Sequence, residues 1–200
     1  MVAMHTQALL IEALSTVIVA PVIGVAVRSL RARVVVLGLL LVLSFVAQMV
    51  GGGLSPATFG AFAAAHATIG AAAFALAAIG ALCRAACDDA LDAIGLTAIV
   101  GAVAGFGVFL LGNFATELPT PLLNSALTAN PIVATASAAN IDIFRGALLY
   151  QFSPIAHREF QYPDWQLAAA LYSGIAIAAS LATARACRAR AAAASPHQHD

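Results

Sequence analysis

VVVLGLLLVLSFVAQMV, residues 34–50, holds no charged side chain and reads as a helix that must lie in lipid. Crossing the hydrocarbon of a bilayer takes about 20 apolar residues. This run is slightly short, so tilt or local thinning is expected to accommodate it. Comparable runs lie on both sides of it. Residues 8–27 form a first span kinked at Pro21, residues 59–82 an alanine-rich third, residues 93–112 a fourth and residues 166–184 a last. The chain is 62% hydrophobic and 9% charged, whereas a soluble domain carries roughly 25% charge to keep its surface wet. The expected fold class is all-α: a polytopic membrane helical bundle of five spans. It forms one integral membrane domain over residues 1–200, with a disordered tail from about residue 189.

Composition also removes several functions. Formal net charge is zero, so nothing points to nucleic acid or a polyanionic partner. All nine basic residues are arginines. Without a lysine there is no phosphate-binding GxxxxGK(S/T) loop, and the chain is not a P-loop ATPase by itself. Three cysteines, Cys83, Cys87 and Cys187, fall near helix ends on one side. An odd count there argues against a disulfide framework. The N-terminus lacks the basic patch and short apolar core of a cleaved signal peptide, so the first run is expected to be a retained span.

The arginines set the expected orientation. Arg28, Arg31 and Arg33 follow the first span, Arg84 the third, and Arg185, Arg188 and Arg190 the last. Five crossings put all seven on one side, against Arg145 and Arg158 on the other. The positive-inside rule then gives a multi-pass protein of the plasma (inner) membrane with an outer N-terminus and a cytoplasmic C-terminus.

Residues 113–165 are harder to place. The apolar run 131–150 is interrupted by Asn140, Asp142 and Arg145. Each charge at mid-bilayer costs about 2.5–3.5 kcal/mol on the insertion scale, although Asp142 and Arg145, three apart, can pair on one helical face. A re-entrant or interfacial helix on the outer side, about residues 128–150, is favoured. A sixth full span is the alternative and would reverse the parity. Phe160, Tyr162 and Trp165, just before the last span, read as an interfacial aromatic belt.

Small residues mark helix packing. Gly101 and Gly105 form a GxxxG in the fourth span, and Gly70, Ala73, Ala77 and Gly80 give the third a flat face. These faces serve packing within the chain or a subunit interface. Intramembrane ionisable residues are functional candidates by default. Glu12 is interfacial and solvated, or takes a coupling or substrate role. His66 is hydrogen-bonded to a neighbouring helix, or is a ligand. Asp142 and Arg145 form a neutralised structural pair, or a gate. The turn from Cys83 to Asp92, with Arg84, Asp88, Asp89 and Asp92, is a solvated turn or a docking surface for a cytoplasmic partner. Cys83 and Cys87 share a helical face, but a metal site wants more ligands. His197 and His199 belong to a disordered tail rather than a metal site. No nucleophile–base arrangement, metal spacing or cofactor motif is present, so no catalytic residue, metal or cofactor is expected and the chain is not read as an enzyme.

From about Ser55 onward the order of elements resembles the membrane subunits of ABC-2 type transporters. An alanine- and leucine-rich helix (63–82) leads into a short charged turn (83–92) and another span (93–112). An outer segment then opens with Asn130-Pro131 and continues through Ile141-Asp142-Ile143-Phe144-Arg145-Gly146, and a final span ends in Arg185, Arg188 and Arg190. Phe152-Ser153-Pro154-Ile155 is similar to the outer connection of some members. The first span here matches the family's second helix, and the family's first helix and coupling segment have no counterpart.

The resemblance implies a permease half that pairs with itself or a similar subunit as a homo- or heterodimer. It implies docking to a separate cytoplasmic ABC ATPase through Arg28, Arg31, Arg33, Arg84, Asp88, Asp89 and Asp92. It further implies export of a lipid-linked, peptidic or drug-like substrate by alternating access. Two other readings stay open. One is a small structural or assembly membrane protein acting through its small-residue faces. The other is an intramembrane enzyme using His66 and Glu12.

Overall fold

The computed structural model describes residues 2–52, 56–110, 114, 117–144, 155 and 159–193. Seven helices are found among them: α1 (Val2–Ala26), α2 (Leu30–Gly52), α3 (Pro56–Ala86), α4 (Ala90–Leu110), α5 (Thr120–Ala129), α6 (Pro131–Ala138) and α7 (Trp165–Ala193). Five are long and apolar enough to cross a membrane: α1, α2, α3, α4 and α7. The protein is a polytopic membrane bundle with a re-entrant helical pair, α5–α6.

The second span is not short. α2 runs 23 residues, because Arg31 and Arg33 lie inside its first turns. Their long aliphatic stems let an arginine sit at the edge of a span. No thinning or special tilt is needed. At the other end of the chain, α7 continues to Ala193, so the stretch expected to be tail is helical up to that point. Residues 194–200 lie outside the described residues.

α3 is the axis of the bundle. Some 56% of its spanning window is buried inside the protein, against 6% for α2, which is therefore the most peripheral span. The alanines of α3 explain this, since small side chains let neighbouring backbones close in where lipid supplies no hydrophobic force. A methyl group added at Gly24 of α1 would overlap the Ala77 carbonyl of α3, and one added at Gly80 of α3 would overlap the Pro21 carbonyl of α1. On α4, Gly101 and Gly105 both face Val17 of α1. A Cβ at Gly101 would stand 2.9 Å from the Val17 carbonyl oxygen, and one at Gly105 would stand 2.8 Å from Val17 Cγ1. Pro21 has no N–H to give the Val17 carbonyl, and that carbonyl is the one Gly101 approaches. These glycines are used inside the chain, in the α1–α3 and α1–α4 seams.

The segment 120–138 enters and leaves on one side. α5 begins at a proline-rich turn and buries Leu123 and Leu127 completely. It descends until Thr128 meets Tyr172, whose hydroxyl donates to the Thr128 carbonyl at 2.9 Å. Asn130 breaks the helix. Its Oδ1 accepts from the backbone N–H groups of Ile132 and Val133, capping α6, and its Nδ2 donates to the Gly105 carbonyl at 2.9 Å. Gly105 lies five residues before the end of α4, so this point is about 8 Å below that end at 1.5 Å per residue.

α6 then climbs back. Ala134 packs with Ala72 and Ala75 near the middle of α3, while Ala138 packs with Ala65, Leu9 and Ala13 closer to its start. Asn140, at φ 57°, ends the rise. The Ile141 N–H reaches the Ala136 carbonyl at 2.8 Å and the Asn140 N–H reaches the Ser137 carbonyl at 2.9 Å, a Schellman closure with asparagine in the left-handed position. The expectation put the re-entrant segment at 128–150. The helices found there start earlier and stop at Ala138, because Pro119, Pro121 and Asn130 supply the start and the break.

The re-entrant turn fits five crossings, the number of candidate spans among the described residues. Arg190 of α7 donates to the Ala86 carbonyl at the end of α3 (3.3 Å) and to Asp88 (3.2 Å). The ends of α3 and α7, and the turns joining α1 to α2 and α3 to α4, thus lie at one end of the bundle. Among the described residues no sixth helix is long enough to span, and residues 145–150 of the alternative lie outside them.

Phe144, fully buried, roofs the re-entrant pair. It stacks with Phe109, Phe160 and Tyr162 at centroid distances of 5.9, 5.2 and 6.0 Å. Trp165 packs at its edge against the cluster of Leu9, Phe62 and Ala138. Phe160, Tyr162 and Trp165 pack on protein, because the returning loop needs an apolar cover where its backbone crosses the helix ends.

Candidate functional site

Three spans each contribute polar side chains to one place near the end where α1 begins. α1 gives Glu12, α2 gives Ser44 and Gln48, and α3 gives His66. The spacing is helical: Ser44 and Gln48 are one turn apart, as are Phe62 and His66, so each pair lies on one face. His66 Nε2 stands 3.2 Å from Glu12 Oε2, and the two side chains are only 7% and 12% exposed. Gln48 Nε2 donates to the same carboxylate oxygen at 2.6 Å and to Ser44 Oγ at 3.1 Å. Phe45 and Phe62 press on the imidazole at centroid distances of 5.0 and 4.2 Å. Glu12 is therefore not solvated. It is turned into the bundle because its neighbours along α1, Leu9 and Ala13, are the buried stripe of that helix.

His66 Nδ1 lies 3.0 Å from the Phe62 carbonyl. A carbonyl only accepts, so Nδ1 carries a hydrogen. Nε2 faces Glu12 Oε2 without a hydrogen bond to it. The contact is within ion-pair distance but off the hydrogen-bond axis of Nε2, and Gln48 Oε1 is buried without a partner. The set is thus incompletely bonded, with His66 Nε2 and Gln48 Oε1 open to a polar guest.

A cavity of about 240 Å³ between α1 and α2 opens beside it, lined by Glu12, Thr16, Leu37, Leu41, Ser44 and Ala73. Its one polar end is the Glu12 cluster. Ile132, at the start of α6, packs against both the Leu9–Phe62 cluster and the Val17–Ala73 cluster, so the bottom of the re-entrant pair lies beside the same spans. Thr135 of α6 is fully buried with its Oγ1 unpartnered.

Other expected site residues fall elsewhere. Asp142 is exposed at the end of the re-entrant pair, where the Tyr162 hydroxyl donates to it. Arg145, its expected partner, lies outside the described residues. At the opposite end, Arg28, Arg31, Asp88, Asp89 and Asp92 are exposed. Arg84 is half-buried and donates through Nη1 to the Cys87 carbonyl at 3.2 Å. Arg33 is buried, 8% exposed, and does not belong to a docking surface. The reason is helical phase, since it stands one turn before buried Leu37 on the inner face of α2. Sequence reasoning missed Ser44 and Gln48. The signal was there: they are the two polar residues of the stretch 34–50, four apart.

Fold and site together define a multi-pass membrane protein with a re-entrant helical pair and a buried Glu–His–Gln centre. No protein-family model, curated protein or solved structure matches the chain.

Proposed function

We propose that the chain is a transport permease subunit of the plasma (inner) membrane, with its N-terminus outside and its C-terminus cytoplasmic. In this reading it exports its substrate as part of an ABC-type system energised by a separate cytoplasmic ATPase. The observation that carries the proposal is the re-entrant pair. Broken backbone at membrane depth is tolerated where protein covers it or where it lines a path, and a helix break capped by Asn130 inside the bundle suits a substrate route. The order of span, charged turn, span, re-entrant pair and arginine-ended span supports the ABC-type assignment.

The exposed Arg28, Arg31, Asp88, Asp89 and Asp92 form the ATPase-facing surface in this reading. α2, the least covered span, is the side for a second permease subunit, homo- or heteromeric. The small-residue faces are spent on α1–α3 and α1–α4 contacts, which weighs against an assembly protein that acts through them.

The test is purification from native membranes in mild detergent. An ATP-binding subunit should co-purify, and deleting it should abolish export. Orientation is read separately by labelling Ser125→Cys and Ser195→Cys in a cysteine-free background with an impermeant maleimide. Position 125 should react from outside and position 195 only after permeabilisation, and the reverse pattern would sink the arrangement.

A second reading has its own support: a carboxylate and an imidazole, Glu12 and His66, meet inside the bundle at 3.2 Å, which suits proton-coupled carriage without an ATPase. Substrate movement in proteoliposomes driven by a pH difference alone, and lost in His66→Gln, would favour it over the first.

A further inference from the structure

Four arginines from separate parts of the chain line one cavity of about 260 Å³ at the end of the bundle opposite Glu12. Arg28 comes from the α1–α2 turn, Arg33 from the start of α2, Arg84 from the last turn of α3 and Arg190 from the last turn of α7. Thr183 and Cys187 add a polar wall. Among the described residues, no carboxylate lines the cavity. Asp88 pairs with Arg190 at 3.2 Å from a fully exposed position, and neither Asp89 nor Asp92 is part of the lining. Arg33 is 8% exposed and its Nε has no hydrogen-bond partner. Arg84 commits one nitrogen to the Cys87 carbonyl and keeps its other donors.

A buried charged donor left unmatched is expensive, and four like charges around one space repel. Arginines are gathered this way, without acids, where an anion completes the set. The guanidinium fork matches phosphate oxygens two at a time. The cavity also sits where the spans end. Val34 and Val35, 46% and 58% exposed, continue an apolar surface along α2 from Arg33, suited to an acyl chain. Basic pockets between spans at a membrane edge take phospholipid headgroups.

We propose that this cavity binds a phosphate group, presented by an anionic phospholipid of the leaflet at that end. The site does not depend on the permease reading, and its test is independent of any ATPase.

The experiment is thermal melting of the full-length protein in dodecyl maltoside, a phosphate-free detergent, with three additions. These are dioleoyl phosphatidylglycerol doped into the micelles, inorganic phosphate, and sodium chloride at matched ionic strength. The lipid should raise Tm where sodium chloride does not. Arg33→Gln and Arg84→Gln should each weaken its apparent affinity by about tenfold or more, and Arg31→Gln, outside the cavity, should leave it unchanged. Without lipid, Arg33→Gln should melt no lower than the parent, because it removes an unmatched charge; a purely structural arginine would lower Tm with or without lipid. Equal stabilisation by inorganic phosphate would keep the phosphate site and overturn the lipid assignment. No lipid effect beyond sodium chloride, or an unchanged response in Arg33→Gln, would overturn the site itself. Should Arg33→Gln fail to fold, Arg28→Gln and Arg84→Gln carry the same test.

Discussion

At the end of the bundle that holds the re-entrant pair, Glu12, His66 and Gln48 contact one another; at the opposite end, Arg28, Arg33, Arg84 and Arg190 line a common space, with no carboxylate among the described lining residues and Asp88 paired to Arg190 outside it. Both sets are drawn from several helices, and both include a residue more than nine-tenths buried. They differ in the signs they gather. The first sets a carboxylate against an imidazole and an amide and is the balanced set; the second gathers guanidinium groups around one space and is the unbalanced set. A balanced set can be held within the bundle, whereas an unbalanced one calls for an external ion.

Breaking the balanced set should have the largest effect. Glu12→Leu leaves His66 and Gln48 without their acceptor and should destabilise the fold by about 3–5 kcal/mol, read by unfolding in a denaturing-detergent titration. Glu12→Leu combined with His66→Leu should recover most of that loss, since apolar residues replace both partners. A double variant as unstable as the single would mean that the two residues act separately.

The re-entrant pair comes next. Asn130→Ala removes the cap of α6 and the bond to Gly105 and should cost about 1–2 kcal/mol, with increased proteolysis between α5 and α6. Unchanged stability there would show that the break is held by Pro131 alone.

The unbalanced set should respond in the opposite sense. Arg33→Met, measured in detergent without phospholipid, should be neutral or stabilising by up to about 1 kcal/mol. A clear loss would place a hidden counter-charge beside it and erase the contrast between the two ends. The smallest effect is expected from Arg31→Gln, exposed and unpaired with the cavity, within about 0.5 kcal/mol of the parent.

Much of this architecture can be read from the chain. Runs without charge fix the five helices, because a lipid-facing backbone must satisfy its own hydrogen bonds, and the grouping of seven arginines favours five crossings while leaving a sixth open. Helix ends are less legible. α2 was read four residues short at its start because arginine was taken as a boundary, although its stem can lie along a span. The re-entrant pair was recognisable from the polar breaks after Asn130, but its extent depended on the prolines at 119 and 121. The site was half legible. Glu12 and His66 stand out as ionisable residues in apolar runs, whereas nothing along the chain says that they face each other. Gln48 was overlooked because an amide in an apolar run carries no charge. Arg33 was assigned to the surface because its neighbours Arg28 and Arg31 are there.

By itself, the sequence determined that this protein lives in lipid, where its five long apolar runs lie, and that its arginines gather between and after them. These follow from the solvation free energy of each segment, which sums over residues regardless of what they touch. Only the tertiary structure decided which way each helix is turned. A helix that is apolar all round has no amphipathic stripe to set its rotation. The rotation that brings Glu12 to His66, and Arg33 inward with Arg84 and Arg190, comes from glycine and alanine contacts between backbones, which are long-range and have no signature along a single helix.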